Sequence, residues 1–165
     1  MASFAEHIIQ AKSNLAFLQD VNSKFQEKWD WQVTICFYVG VHLINAYLAD
    51  KADLHYRTHA DTKMAISPFN PTAIYPLPEE VYLAYTKLEG LSRRSRYLCH
   101  ETPANQTERP HLTYDKHFAK AIKNLDKILY FFTTHYLLEF DQPSVSCIDL
   151  ASTPLLIFKA GLNRA

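Results

Sequence analysis

Apolar residues recur along the first stretch of the chain at Ile8, Ala11, Leu15, Leu18, Val21 and Phe25, a spacing of three and four that predicts a helix with one buried stripe. The helix is expected from Ser3 to about Lys28, with Ser3 as N-cap and Glu6 at N3 forming a capping box. A second helix is expected from the N-cap Asp30 to about Lys51, apolar on nearly every side, as in a helix that neighbours cover. Its polar exceptions Tyr38, His42 and Asn45 share one face. Residues 52–78 carry Pro68, Pro71, Pro76 and Pro78, a density that blocks a long helix and leaves room for a short one at about His59 to Ile66. A third long helix is expected from Pro78 to about His100, with Glu79 and Glu80 favouring its N-terminus. A fourth is expected from the cap Thr113 to about Glu139, with Phe118, Ala121, Ile122, Leu125, Ile128, Leu129 and Phe132 as its apolar face.

The pattern changes after residue 140. Pro143, Pro154 and Gly161 interrupt the last stretch, and its apolar run Leu155 to Phe158 fits a strand, a helical turn or a partner-binding arm. With three glycines in 165 residues and 48% hydrophobic positions, the chain reads as one all-α domain. The expected architecture is an antiparallel four-helix bundle over residues 1–140, with a proline-rich inter-helix segment and a C-terminal extension over residues 141–165.

Charge narrows the function classes. Lys+Arg and Asp+Glu are 17 each, so no global field draws the protein to nucleic acid or to an anionic membrane, and any anion site must be local. No stretch approaches ~20 uninterrupted apolar residues, so no membrane span is expected. Glu6, His7, Gln10 and Lys12 break up the N-terminus, which argues against a signal peptide. Cys36, Cys99 and Cys147 are odd in number and scattered, which fits a reducing cytoplasm.

The local anion site is concentrated in Leu91 to His100, where Arg93, Arg94, Arg96 and His100 crowd together. On a helix the spacing 93, 96, 100 forms one stripe, with Arg94 turned away. Arginine forks suit phosphate oxygens and histidine moves protons near neutrality, so such a face offers what phosphodiester chemistry needs. The plain alternative is a basic helix end complementing the dipole. Tyr97, inside the cluster, could stack on a base. His42 reads either as a core imidazole or as a member of the same groove. His55 and His59 have metal-ligand spacing but no third ligand, and Glu108 with His111 falls across Pro110, so neither zinc nor di-iron chemistry is expected. Gly-rich phosphate loops and Gly-x-Ser-x-Gly elbows are absent from the sequence.

Together these residues resemble the HEPN superfamily, small helical domains of prokaryotic toxin and defence systems. The likeness is carried by Asp30-Trp31 opening a helix, Phe37-Tyr38, His42-Leu43 and Asn45-Ala46-Tyr47-Leu48 within it, Thr58-His59 before a short helix, and Leu91-Ser92-Arg93 followed by Arg96-Tyr97. It covers roughly Ala5 to Glu139. It implies a metal-independent endoribonuclease without cofactor, a homodimer whose motifs meet across the interface, RNA or a nucleotide as ligand, and a possible antitoxin partner. By the same resemblance Arg93 and His100 would be catalytic, the motif being an arginine and a histidine separated by four to six residues. Arg94, Arg96, Tyr97, His42, His59 and Lys63 would bind nucleotide or phosphate. The chain departs from the branch at Thr62, where an arginine is usual, and at Arg94, where active members carry Asn, Asp or His. The resemblance therefore also admits a non-catalytic module that binds a nucleotide or a partner protein.

Overall fold

The computed structural model describes residues 2–53, 56, 58–98 and 112–161. The chain is mostly helical: α1 is Phe4–Lys24, α2 Trp29–Ala52, α3 His59–Ile66, α4 Glu79–Tyr97 and α5 Asp115–Tyr136. Two short strands follow, β1 Ser144–Ser146 and β2 Lys159–Gly161, with a one-turn 3-10 helix at Ile148–Leu150 between them.

Local chemistry explains most helix ends. The capping box forms as expected, with the Glu6 N–H donating to Ser3 Oγ at 3.3 Å and the Ser3 N–H to Glu6 Oε2 at 2.7 Å. The Ser3 N–H and the Ser3 hydroxyl, both donating to Glu6 Oε2, hold that carboxyl below its ordinary range. α1 stops at Lys24, short of the expected Lys28, because the buried Gln32 amide donates to the carbonyls of Phe25 and Gln26 at 3.3 and 2.9 Å. Asn22 holds Gln32 in turn, through Nδ2 to Oε1 at 2.8 Å. Asp30 lies inside the first turn of α2 rather than capping it. α3 has the expected bounds, capped by Thr58 Oγ1 accepting from the Asp61 N–H at 3.1 Å. With few glycines to supply left-handed residues, α2, α4 and α5 each end on a non-glycine in that conformation: Asp53, Leu98 and Leu137, at φ 51, 53 and 52°. Hence α4 ends three residues before the expected His100, and α5 three before Glu139. Tyr114 takes the position expected of Thr113 at the start of α5, and the Thr113 hydroxyl instead donates to Ser95 on α4 at 2.9 Å.

α2 is the centre of the core. Val33, Cys36, Phe37, Val39, Leu43, Ile44 and Leu48 are fully buried. Burial pushes the Cys36 thiol far above its ordinary range, so it behaves as a small hydrophobe. By length and composition α2 could cross a bilayer, despite the expectation of no such segment, and 78% of its most apolar stretch is buried inside the protein. Specific residue pairs join neighbouring helices and the turns that lead into them. His7 meets His42 and Asn22 meets Gln32 between α1 and α2. Tyr47 reaches Pro76 while a Cβ on Gly40 would touch Leu88 and Tyr85 between α2 and α4. Lys127 meets Glu80 and Thr113 meets Ser95 between α4 and α5.

The C-terminal segment lies on α1 and α5, and its strand pair is a departure from a purely helical expectation. β1 and β2 pair in parallel, with Val145 opposite Ala160. Asn22 bonds the Ser146 backbone in both directions, at 2.7 and 3.1 Å, and Gln19 Oε1 accepts from the Ser144 N–H at 2.9 Å. Val145, Cys147, Leu150 and Phe158 are buried. The run Leu155 to Phe158 is neither strand nor helix but a bend, whose amides are taken by the buried Asp126 of α5.

Candidate phosphate-handling face on α3 and α4

The phase of α4 decides where its arginines point. Leu88, Leu91, Ser92 and Ser95 are buried, so at 100° per residue Arg93 and Arg96 fall outward, and both are exposed. Glu89 lies on the same stripe, within about 60° of the two arginines around the helix. Arg94 stands about 100° away, half-buried, its Nε donating to the Gly90 carbonyl at 3.3 Å. The Arg96 Nε donates to the Ser92 carbonyl at 3.4 Å, and its guanidinium lies 5.2 Å from the centre of the exposed Tyr97 ring. This contact gives Arg96 an aromatic support of the kind that accompanies nucleobase stacking.

α3 brings a histidine and a lysine to this stripe. Lys63 Nζ binds Glu89 Oε2 at 2.8 Å, with both side chains partly shielded, and so ties α3 to α4. His59, one turn earlier on α3, sets its ring edge-on against the fully buried Phe37 at 5.0 Å. Burial is the main reason its pKa falls below the ordinary 6.5; Glu89 opposes the shift, and Arg96 and Lys63 add to it. A histidine whose pKa is lowered has the make-up of a base near neutrality.

This shift has a stability consequence with a definite sign. Because the folded state binds the His59 proton less readily than the unfolded chain, stability is unaffected above pH 6.5 and declines as pH falls through the lowered folded value. His59→Gln is expected to flatten that part of the stability–pH curve, measured by urea unfolding between pH 7 and 5.

The other proposed residues are distributed differently. His42 is at the α1–α2 interface, its Nδ1 3.2 Å from Nδ1 of the buried His7, so one ring donates and the other accepts. This contact places it against α1. His100 lies outside the described residues, as do His55, Cys99, Glu108 and His111. Since α4 ends at Tyr97, the helical stripe assumed for 93, 96 and 100 stops at Arg96. Thr62 is buried and donates to the Thr58 carbonyl at 3.0 Å. Glu89 and Phe37 were not foreseen as members. Glu89 could have been found from its spacing of four and seven to Arg93 and Arg96, whereas Phe37 gave no signal beyond that of a core aromatic. His7 continues the α1 stripe by one turn before Ala11. Among the described residues no three of His, Cys, Asp and Glu gather as a metal-binding group.

No family model, curated protein or solved structure matches this chain.

Proposed function

We propose that the chain is an endoribonuclease of HEPN type that works without metal, a cytoplasmic toxin or defence protein acting as a homodimer. In this reading the helices form an antiparallel four-helix bundle with the proline-rich segment and C-terminal extension attached. Arg93 and Arg96 hold the scissile phosphate and offset charge on its transition state, and His100 moves the proton at the ribose or leaving oxygen. The observation that carries the reading is the outward face of α4, where Arg93 and Arg96 stand exposed and Glu89 on the same stripe holds Lys63 of α3, in a protein of no net charge.

Total RNA incubated with the protein in EDTA should be cut to fragments ending in 2′,3′-cyclic phosphate and 5′-hydroxyl. Arg93→Ala and His100→Ala should each lower the rate about 100-fold, the scale seen when one group that stabilises or protonates a transition state is removed. Absence of cleavage by the wild-type protein, or rates indifferent to both substitutions, rejects the ribonuclease reading. Sedimentation then tests the dimer.

A second reading, a binding module without catalysis, is favoured by Thr62 and Arg94. The buried Thr62 leaves its place in the family pattern without a cation, and Arg94 folds back onto its own helix. On that reading the same arginines hold a nucleotide or the acidic side chains of a partner such as an antitoxin.

A further inference from the structure

Of the eight histidines in the chain, those at 55, 100 and 111 lie outside the described residues, which leaves five to compare. Four are engaged elsewhere. His7 and His42 face each other between α1 and α2. The Nδ1 of His117 accepts the Tyr114 N–H at 2.9 Å at the start of α5, and His135 stacks on Phe131 at 5.1 Å near the end of that helix. His59 alone among them stands on the helix that the Lys63–Glu89 pair holds against the α4 stripe, and Glu89 and Arg96 both act on its charge.

Three further features suit it to handling a proton there. Phe37, which has no exposed surface, fixes the ring edge-on. The Lys63–Glu89 pair fixes α3 against α4 one turn away. Thr58 caps the helix at the preceding position, so the backbone carrying His59 is held by the Thr58–Asp61 bonds at 3.1 and 2.6 Å. Among the described residues the charged groups that act on the ring are Lys63 on its own helix and Glu89 and Arg96 on α4, while α2 presents the apolar Phe37.

We propose that His59 is the general base of the phosphate-handling face, so that base and phosphate-holding arginines come from one and the same chain. The inference rests on the ribonuclease reading above. One ring nitrogen takes the proton of the ribose 2′-hydroxyl as the 2′ oxygen bonds to phosphorus. The bond from phosphorus to the 5′ oxygen breaks, its electron pair leaves with that oxygen, and the proton that His100 carries in the reading above goes to it. Water then moves the proton from the His59 imidazolium to His100, which restores both groups.

The test has two arms. In the first, the His59 ring of the full chain is titrated by NMR with and without uridine 3′-monophosphate. The dianion should raise the midpoint by about half a pH unit or more, and Arg96→Gln should abolish the rise; an unmoved midpoint overturns the proposal. In the second, RNA cleavage is followed in EDTA across pH. His59→Gln should slow it at least about 100-fold with RNA affinity little changed, and the rising limb of the wild-type rate should track the His59 midpoint measured by NMR. If the wild type cleaves and His59→Gln cleaves equally fast, the role of His59 is overturned and the ribonuclease reading stands. If the wild type does not cleave, both fall.

Discussion

Replacing Asp126 with alanine is expected to lower stability by about 3 to 5 kcal/mol and to release the segment from Ser144 to Gly161 from the helices. The carboxylate is buried on α5 and accepts three successive backbone N–H groups, from Leu156 at 2.8 Å and from Ile157 and Phe158 at 2.9 Å each. Alanine leaves three donors without their acceptor, the Phe158 N–H buried at about 1 to 3 kcal/mol and the part-buried Leu156 and Ile157 N–H groups at about 1 kcal/mol each. Asparagine discriminates further. Ile157 and Phe158 share Oδ1 while Leu156 uses Oδ2, so an amide that keeps its oxygen at the Oδ1 position retains two bonds and sets an N–H against the Leu156 N–H. Asp126→Asn should therefore cost about 1 kcal/mol, the scale of one lost hydrogen bond at a part-buried donor. Urea unfolding gives the totals, and hydrogen exchange shows where protection is lost. Continued slow exchange at 156–158 in the alanine variant contradicts the assignment of Asp126 as the anchor.

Asp126 also shows what a sequence discloses about such an anchor. It falls four residues after Ile122 and three before Leu129, within the apolar stripe of α5, and a carboxylate there has to be satisfied by something. The stripe shows the need but not the partner, because the partner lies 30 residues away in a segment with no helical period. Contacts within one turn were readable in advance: the Ser3–Glu6 capping box, the bounds of α3, the all-round burial of α2. Helix ends set by distant groups were not. The Gln32 amide closes α1 from the far side of a turn, and α4 stops at Leu98 without glycine or proline to mark it. The candidate site divides along the same line. Helical period placed Arg93 and Arg96 together and Arg94 apart, but α3, which carries His59 and Lys63, meets their stripe only at Glu89, a tertiary pairing that no local pattern announces.

Substitution of Phe37 is the second large effect, and it joins the core to the site. The ring has no exposed surface and lies against the rings of His59, Tyr85 and Tyr38 at 5.0, 5.8 and 5.8 Å. Phe37→Ala should cost about 3 to 5 kcal/mol through lost burial and the cavity left among these rings. Phe37→Leu keeps most of the volume and should cost about 1 to 2 kcal/mol, leaving a folded protein in which His59 can be titrated. The leucine loosens the surface that excludes water from the imidazole. Since burial is the largest cause of the lowered His59 pKa, its midpoint should rise toward the ordinary 6.5, and the loss of stability below pH 6.5 should become shallower. NMR of the ring and unfolding at pH 7 and 5 measure both. A midpoint that stays low in Phe37→Leu assigns the shift to Arg96 and Lys63 instead, and Arg96→Gln must then raise it in the absence of any ligand. The two substitutions thus separate a histidine tuned by the core from one tuned by the cations that hold the phosphate.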